Sequence, residues 1–195
     1  GNAIWGLFSS SLTRNANAFT ANAGVFGKVY FPRLTTPISN MLSCVIQFGI
    51  QMILVFALLA YYTITGAVHP HFLAWLLIPF VLILLGAMGL GCGIIISSMT
   101  TKYRDLSVLV GFGVQLWMYA TPIVYPLSQI ENEWMKRLML LNPATSPIEL
   151  FRYALLGQGT VSVPGLAISL VFTAIVLVLG IMVFNKVEKT FMDTV

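Results

Sequence analysis

Charged side chains are scarce in this chain. Among its 195 residues, 10 are Lys or Arg and 6 are Asp or Glu, so 8% of the chain is charged and 58% is hydrophobic. Soluble domains carry about 25% charged residues, and a chain of this length cannot hide so much apolar surface in a globular core. The composition therefore excludes an ordinary soluble protein and predicts an integral membrane protein.

The charged residues are missing altogether from three long stretches, residues 34–101, 106–130 and 153–185. Because a membrane-spanning helix needs about 20 apolar residues, these stretches have room for two helices, one helix and one helix. Residues 2–21 begin apolar and turn polar, which is typical of the last part of a further span, and Gly1 is not an initiator Met. We therefore expect a chain that lacks its N-terminus. The pattern predicts an all-α, polytopic transmembrane helical bundle with about five spans present. The four later spans are expected at about residues 37–62, 73–99, 106–125 and 164–184.

The sequence also lacks an energy source of its own. It contains no GxxxxGK[ST] phosphate loop, and no Asp or Glu lies within a predicted span to serve a proton or sodium relay. His69 and His71 have no Cys or carboxylate nearby to complete a metal site. Cys44 and Cys92 fall within spans, where we expect no disulfide. These absences predict a helical bundle with no catalytic residue, no metal site and no energy source of its own.

Lys and Arg residues concentrate on one side of the predicted bundle. If the loops alternate between sides, the positive-inside rule makes the side with more of them, which includes the C-terminus, cytoplasmic. This topology explains the net charge of +4 without nucleic acid. Segment 126–160 then faces outward, and its apolar stretches are too short to span, so we expect short re-entrant or interfacial helices between the last two spans. The cytoplasmic residues are Arg14, Lys28, Arg33, Lys102, Arg104, Lys186 and Lys189, and the outward ones are Lys136, Arg137 and Arg152.

Polar side chains follow one face of the span at about residues 37–62. Unpaired amides are costly in hydrocarbon, so this face should point at other helices or at water. Two interpretations stay open, a face that lines a channel and a face that makes interhelical hydrogen bonds. The polar residues are Asn40, Ser43, Cys44, Gln47 and Gln51, at helical spacings of three, four and seven.

Small residues follow one face of the next span, at about residues 73–99. Small side chains let helix backbones approach closely, so this face predicts close helix packing rather than a direct functional role. Its members are Gly86, Gly89, Gly93, Ser97 and Thr100.

The span at about residues 106–125 also has a mixed polar face. If this face lines a path, Gln115 and Tyr119 belong to it, and Trp117 on the opposite side faces lipid or another subunit. Alternatively, Tyr119 and Tyr125 are ordinary aromatic residues of the membrane interface. The face contains Gly111, Gln115, Tyr119 and Pro122.

Three motifs give the chain a resemblance to a known family. The run NAGVFGKVYFPRLTTP resembles the cytoplasmic connector of polysaccharide-exporting ABC transporter permeases of the type-2 family. The segments YRDLSVLVGFGVQLWMYATPIVYP and LNPATSPIELFRYALLG are similar to the family's two later signatures, and all three occur in the family's order. The family carries a complete first span before the position of Gly1. The resemblance therefore implies that the first of six spans is missing here.

The resemblance implies a single transmembrane permease domain over residues 1–195. Such permeases work as homodimers with two copies of a separate nucleotide-binding ATPase subunit, which binds ATP and Mg²⁺, so the chain itself would hold no cofactor and would not be an enzyme. The cargo would be a polyprenyl-linked polysaccharide, most like O-antigen, carried through the lipid of the bacterial inner (plasma) membrane. Lipopolysaccharide, teichoic-acid and capsule exporters share this plan. The alternatives are a type-2 permease for drugs or other small molecules and a membrane-embedded enzyme or scaffold.

The resemblance also implies roles for particular regions. The connector at about residues 22–36 would dock on the ATPase, and segment 126–160 would form periplasmic gate helices. Positive-inside topology alone is the alternative for Lys28 and Arg33, and a local ion pair is the alternative for Arg104 and Asp105. The implied docking residues are Lys28, Tyr30, Phe31, Pro32, Arg33, Arg104 and Asp105. The channel candidates are Asn40, Gln47, Gln51, Gln115, Tyr119 and Tyr125, and the gate candidates are Pro126, Asn142, Pro143 and Arg152.

Overall fold

The computed structural model describes residues 1–18, 35–66, 70–100 and 105–192, with side chains up to Lys186. Within these ranges the chain forms seven α-helices and two 3₁₀ helices and no strand. The prediction of an all-α polytopic bundle is therefore confirmed. The helices are α1 (Asn2–Ala16), α2 (Thr35–Ile64), a 3₁₀ helix (Phe72–Leu77) that runs into α3 (Ile78–Thr100), α4 (Leu106–Tyr119), a 3₁₀ helix (Leu127–Gln129), α5 (Glu133–Leu140), α6 (Thr145–Leu156) and α7 (Val163–Met192).

Three segments of the described chain are long and apolar enough to cross a membrane. They are Thr35–Ile64, Phe72–Thr100 and Val163–Lys186. Helix α1 has 15 residues and α4 has 14, which is short of the roughly 20 residues that a perpendicular span needs. The number of spans, predicted as about five, stays a prediction.

One predicted boundary is wrong. Helix α4 ends at Tyr119 rather than near Tyr125, because Pro122 disfavours a helical conformation at the residue before it and cannot donate a helical hydrogen bond. The last span was expected at about residues 164–184, and the apolar segment of α7 is Val163–Lys186. The helix itself continues to Met192, because the residues after Phe184 include Lys and Glu, which are good helix formers.

Apolar side chains on the outer faces of the long helices are exposed. Ile46 and Ile53 of α2 have 68% and 70% of their surface accessible, and Ile175 and Met182 of α7 have 51% and 61%. Exposed apolar surface of this extent is unusual for a protein in water. It is expected for faces that contact lipid.

Helix α3 lies at the centre of the bundle, and its small residues let α1 approach it closely. A Cβ atom added to Gly93 would lie 2.5 Å from the Cβ of Asn15 and 2.8 Å from the carbonyl oxygen of Leu12. A Cβ atom on Gly89 would lie 2.9 Å from the Cβ of Ser11. The predicted packing role of this glycine face is confirmed.

Two interhelical hydrogen bonds follow the same contact. The hydroxyl of Ser11 donates to the carbonyl oxygen of Gly86 at 3.1 Å. The hydroxyl of Thr100 donates to the carbonyl oxygen of Ala16 at 3.0 Å. The opposite face of α3 packs on α7, where a Cβ atom on Gly180 would lie 3.1 Å from a carbonyl oxygen of α3. Helix α3 therefore packs closely against α1 on one face and against α7 on the opposite face.

We expect the substitution Gly93→Ala to destabilise the protein. The added methyl group would overlap backbone and Cβ atoms of α1, and overpacking of this kind typically costs about 1–3 kcal/mol. Gly49→Ala is the matched control, because a Cβ at Gly49 meets nothing within 4 Å and alanine favours a helix by about 1 kcal/mol over glycine. Thermal unfolding of both proteins in detergent tests this, and equal midpoints would contradict the close packing of α1 on α3.

Candidate translocation groove

A groove of about 830 Å³ lies between α1, α2 and α4 and is open on one side. Its wall combines amide and hydroxyl side chains with apolar ones such as Leu54, Val55 and Met118. Such a wall offers hydrogen bonds without a deep apolar pocket. The polar members are Asn2, Ser9 and Thr13 of α1, Gln51 of α2 and Gln115 of α4.

Helix α1 contributes the largest polar share of the groove, which sequence reasoning missed. Asn2, Gly6, Ser9 and Thr13 all line it, and their spacings of four, three and four place them on one helical face. The wall is open at Gly6, where a Cβ atom would meet only the side-chain oxygen of Gln51, at 3.9 Å. The spacing was visible in the sequence. Its meaning depends on the convergence of three helices, which the sequence does not reveal.

Some polar residues of α2 make interhelical hydrogen bonds and one lines the groove, so each of the two interpretations of this face holds for part of it. The Nδ2 atom of Asn40 donates to the Oδ1 atom of Asn15 at 3.3 Å, and the Oε1 atom of Gln47 accepts from Arg14 at 2.8 Å. These two residues therefore make interhelical hydrogen bonds with α1. Gln51 lies in the groove wall. Contact of any of them with a substrate stays a prediction.

Helix α4 places part of its predicted face in the groove. Gly111 and Gln115 line it. Tyr119 lies at the end of the helix, outside the lining residues, with 75% of its surface exposed. Tyr125 lies beyond the helix and is exposed, so these two predicted channel residues are not brought together with the glutamines.

The expectation that Trp117 faces lipid or another subunit is wrong. Its ring meets that of Phe8 edge-to-face with centroids 5.1 Å apart, and that of Trp5 at 6.4 Å. Its Nε1 atom donates to the Oδ1 atom of Asn142 at 3.0 Å. A helical wheel places a residue on a face but does not reveal which neighbour covers that face, and here α1 does.

Asn142 connects the end of α4 with the junction between α5 and α6 through hydrogen bonds. Its Nδ2 atom donates to the hydroxyl of Thr121 at 2.9 Å and to the carbonyl oxygen of Ala120 at 3.3 Å. Its Oδ1 atom accepts from Trp117 and, at 3.1 Å, from the backbone N–H of Ala144. All the hydrogen-bonding capacity of this amide is therefore directed at neighbouring segments.

The two prolines that were predicted as gate residues lie within a cap of short helices, which consists of residues 120–160. Pro126 precedes the 3₁₀ helix Leu127–Gln129, and Pro143 follows Asn142 where the chain turns into α6. Both prolines are partly buried. The prediction of short helices too short to span is confirmed by α5, with 8 residues, and α6, with 12.

A buried ion pair on α6 organises the cap. Glu149 is fully buried and Arg152 is 7% exposed, and the Nη1 atom of Arg152 donates to the Oε1 atom of Glu149. Glu149 also accepts from the backbone N–H of Leu127 at 3.4 Å and from that of Thr160 at 3.2 Å. The cost of burying a charged carboxylate can be offset when the group is paired with an opposite charge and hydrogen-bonded. Glu149 meets both conditions. Sequence reasoning missed Glu149, although its spacing of three from Arg152 was a signal.

Arg152, a predicted gate residue, holds the turn that follows α4. Its Nη2 atom donates to the carbonyl oxygens of Ile123 at 2.6 Å and Pro122 at 3.3 Å, and its Nη1 atom donates to that of Tyr125 at 3.3 Å. The planar guanidinium suits this task because its donors point in several fixed directions. The side chains of Glu149 and Arg152 thus connect α6 with the chain on both sides of it.

Most of the predicted docking residues lie outside the described chain. These are Lys28, Tyr30, Phe31, Pro32, Arg33 and Arg104. Asp105 is described: it is exposed at the start of α4, where its side chain makes no capping hydrogen bond.

The described residues contain no group of three or more His, Cys, Asp and Glu that could hold a metal ion. His71 stacks on Tyr153 with ring centroids 4.6 Å apart and an interplanar angle of 16°. This contact gives the imidazole a packing role. His69 lies outside the described residues.

Three long apolar segments, a polar groove between α1, α2 and α4 and a cap of short helices are together the features of a multi-pass membrane protein. The chain belongs to the ABC-2 type transporter family, whose model matches residues 2–156. The predicted membership of the type-2 ABC permeases is thereby confirmed.

Curated relatives agree with this assignment. The chain is 32% identical over 191 residues to the O-antigen export system permease protein RfbA of Klebsiella pneumoniae, a match that covers 97% of this chain and 71% of the relative. A second Klebsiella pneumoniae protein of that name is 30% identical with the same coverage. The protein of that name from Myxococcus xanthus is 30% identical over 145 residues, which are 73% of this chain and 53% of the relative.

Proposed function

We propose that this chain is the transmembrane subunit of an ATP-driven exporter that moves a lipid-linked polysaccharide, most like O-antigen, across the bacterial inner membrane. The observation that carries the proposal is the groove between α1, α2 and α4, whose wall combines amides and hydroxyls with apolar side chains. The names of the relatives, which are O-antigen export permeases, point to the same cargo.

The groove wall matches the chemistry of a sugar chain. Amide side chains both donate and accept hydrogen bonds, and a sugar hydroxyl does the same, so Gln51 and Gln115 can exchange partners as the polymer slides. The ring of Phe112 also lines the groove, with 63% of its surface exposed, and offers an apolar face to the C–H groups of sugar rings. Many weak contacts of this kind bind a polymer without stopping it.

The energy for this movement would come from ATP and Mg²⁺ bound to two separate nucleotide-binding subunits. Their docking surface is expected at Lys28, Tyr30, Phe31, Pro32 and Arg33, with Arg104 and Asp105 nearby. Because the groove is open on one side, a second copy of the chain would close it, which supports a homodimer. The Lys and Arg distribution supports a cytoplasmic C-terminus.

The cap of short helices would then lie at the periplasmic end of the path. Arg152 and Asn142 tie the end of α4, which forms one wall of the groove, to α6 and to the α5–α6 junction. A displacement of α4 would therefore move the cap with it. This connection supports the proposed role of Pro126, Asn142, Pro143 and Arg152 at a periplasmic gate.

Two measurements test the proposed function. Co-expressed with the ATPase of its own operon, the tagged full-length protein should co-purify with that ATPase, and its deletion should remove one polysaccharide from the cell surface. Co-purification without any change in surface glycan would favour export of a drug or another small molecule. Absence of an ATPase partner would contradict the ABC exporter and favour a membrane-embedded enzyme or scaffold.

A further inference from the structure

Among the described residues that line the groove, none is Asp, Glu, Lys, Arg or His. Within their described bounds, helices α1, α2 and α4 contain one charged residue, Arg14. Arg14 does not line the groove, and its guanidinium donates to Gln47 at 2.8 Å. The polar capacity of the described wall is therefore entirely that of neutral amides and hydroxyls.

The other described Lys and Arg residues do not contribute positive charge to the groove wall either. Lys136 and Arg137 lie on α5, and Lys186 lies near the end of α7. Arg152 is buried and donates hydrogen bonds to Glu149 and to three carbonyl oxygens of the chain that follows α4. None of these helices contributes a lining residue.

A neutral wall has opposite consequences for neutral and for anionic polymers. A sugar hydroxyl that leaves water can regain its hydrogen bonds from amides and hydroxyls. A phosphate or carboxylate loses far more hydration on entering such a site, and its transfer is strongly unfavourable unless an opposite charge compensates it. A wall between apolar helices also lowers the local dielectric, which enlarges the difference.

We infer that the groove selects an uncharged glycan, and that the neutral amides of Gln51 and Gln115 are specificity-determining residues that discriminate against polymers with phosphate or carboxylate groups. This inference rests on the proposed function and narrows its substrate class. It assigns to these side chains the rejection of anionic polymers in addition to the binding of neutral ones.

The test uses the full-length protein with its ATPase in a host that lacks its own exporter. The host makes one polyprenyl-linked hexose polymer in two forms, uncharged and substituted with phosphodiesters, so the backbone and lipid anchor are the same. Surface display of each form is measured per unit of exporter in the membrane. We expect the display of the anionic form to be at least about tenfold lower, which corresponds to about 1.4 kcal/mol, because its charged groups lose hydration that no cation of the described wall replaces.

A charge placed in the groove should reverse the preference. Gln115→Lys should raise display of the anionic form at least severalfold and lower that of the neutral form, whereas Gln115→Met, similar in size and uncharged, should not raise the anionic form. Gln51→Lys repeats the test from the opposite wall if Gln115→Lys fails to accumulate.

The outcomes separate this inference from the proposed function. Equal display of the two forms by the unmodified protein, or no gain of the anionic form in either lysine variant, would overturn the selectivity and leave polysaccharide export standing. Display of neither form, with the exporter complex present in the membrane, would overturn export itself.

Discussion

Replacing Gly111 with tryptophan should abolish export and leave the protein folded. Gly111 lines the groove, and a Cβ atom there would meet nothing within 4 Å. A large side chain can therefore be accommodated without displacing its neighbours, and it would fill the space that a polymer needs. Because glycine is a poor helix former, the substitution should not weaken α4. Surface glycan should fall to the level of a deletion strain while the protein accumulates normally in the membrane.

The chain offers a closely matched control in Gly113→Trp. Gly113 is exposed on the same helix and also has nothing within 4 Å of an added Cβ, but it does not line the groove. Two residues along an α-helix correspond to about 200° of rotation, so its tryptophan points away from the groove. Near-normal export by Gly113→Trp together with loss in Gly111→Trp would locate the path. Normal export by both variants would show that the polymer does not pass here.

The spans and the helix packing could be predicted from local pattern. Helix α2 was expected at residues 37–62 and occupies Thr35–Ile64, because a long, mainly apolar run without charged residues is enough to predict such a helix. The spacing of Gly89 and Gly93 predicted a close approach, since small residues on one face have few other uses in a membrane. In both cases the deciding information lies within a single helix.

The groove could be predicted only in part, because it forms where three helices meet. The amides of Gln51 and Gln115 stood out because such groups are costly in hydrocarbon. Ser9 and Thr13 did not, since hydroxyls bond readily to their own helix, as Thr13 does to the carbonyl oxygen of Ser9 at 2.8 Å. Trp117 was misplaced because its partner Asn142 is 25 residues away in the sequence. The spacing of residues along one helix does not reveal a contact with a residue so distant in the sequence.

The substitution Glu149→Ala should destabilise the protein by about 3–5 kcal/mol, the usual loss when one partner of a buried ion pair is removed. Arg152 would remain 7% exposed without its carboxylate, and the N–H groups of Leu127 and Thr160 would lose their acceptor. This is a large fraction of the 5–15 kcal/mol that stabilises a typical domain. A lower thermal midpoint in detergent and reduced abundance in the membrane would report it.

The exposed pair between Glu133 and Lys136 on α5 provides the control. It has the same spacing of three residues, a distance of 3.8 Å, and side chains that are 74% and 30% exposed. Exposed pairs contribute about 0–1 kcal/mol, so Glu133→Ala should leave the midpoint almost unchanged. Glu149→Gln should fall between the two alanine variants, because the amide keeps one acceptor oxygen but loses the charge and replaces the second acceptor with an NH₂ donor. Similar midpoints for Glu149→Ala and Glu133→Ala would mean that the cap is held by Asn142 and by helix packing, with the buried pair contributing little.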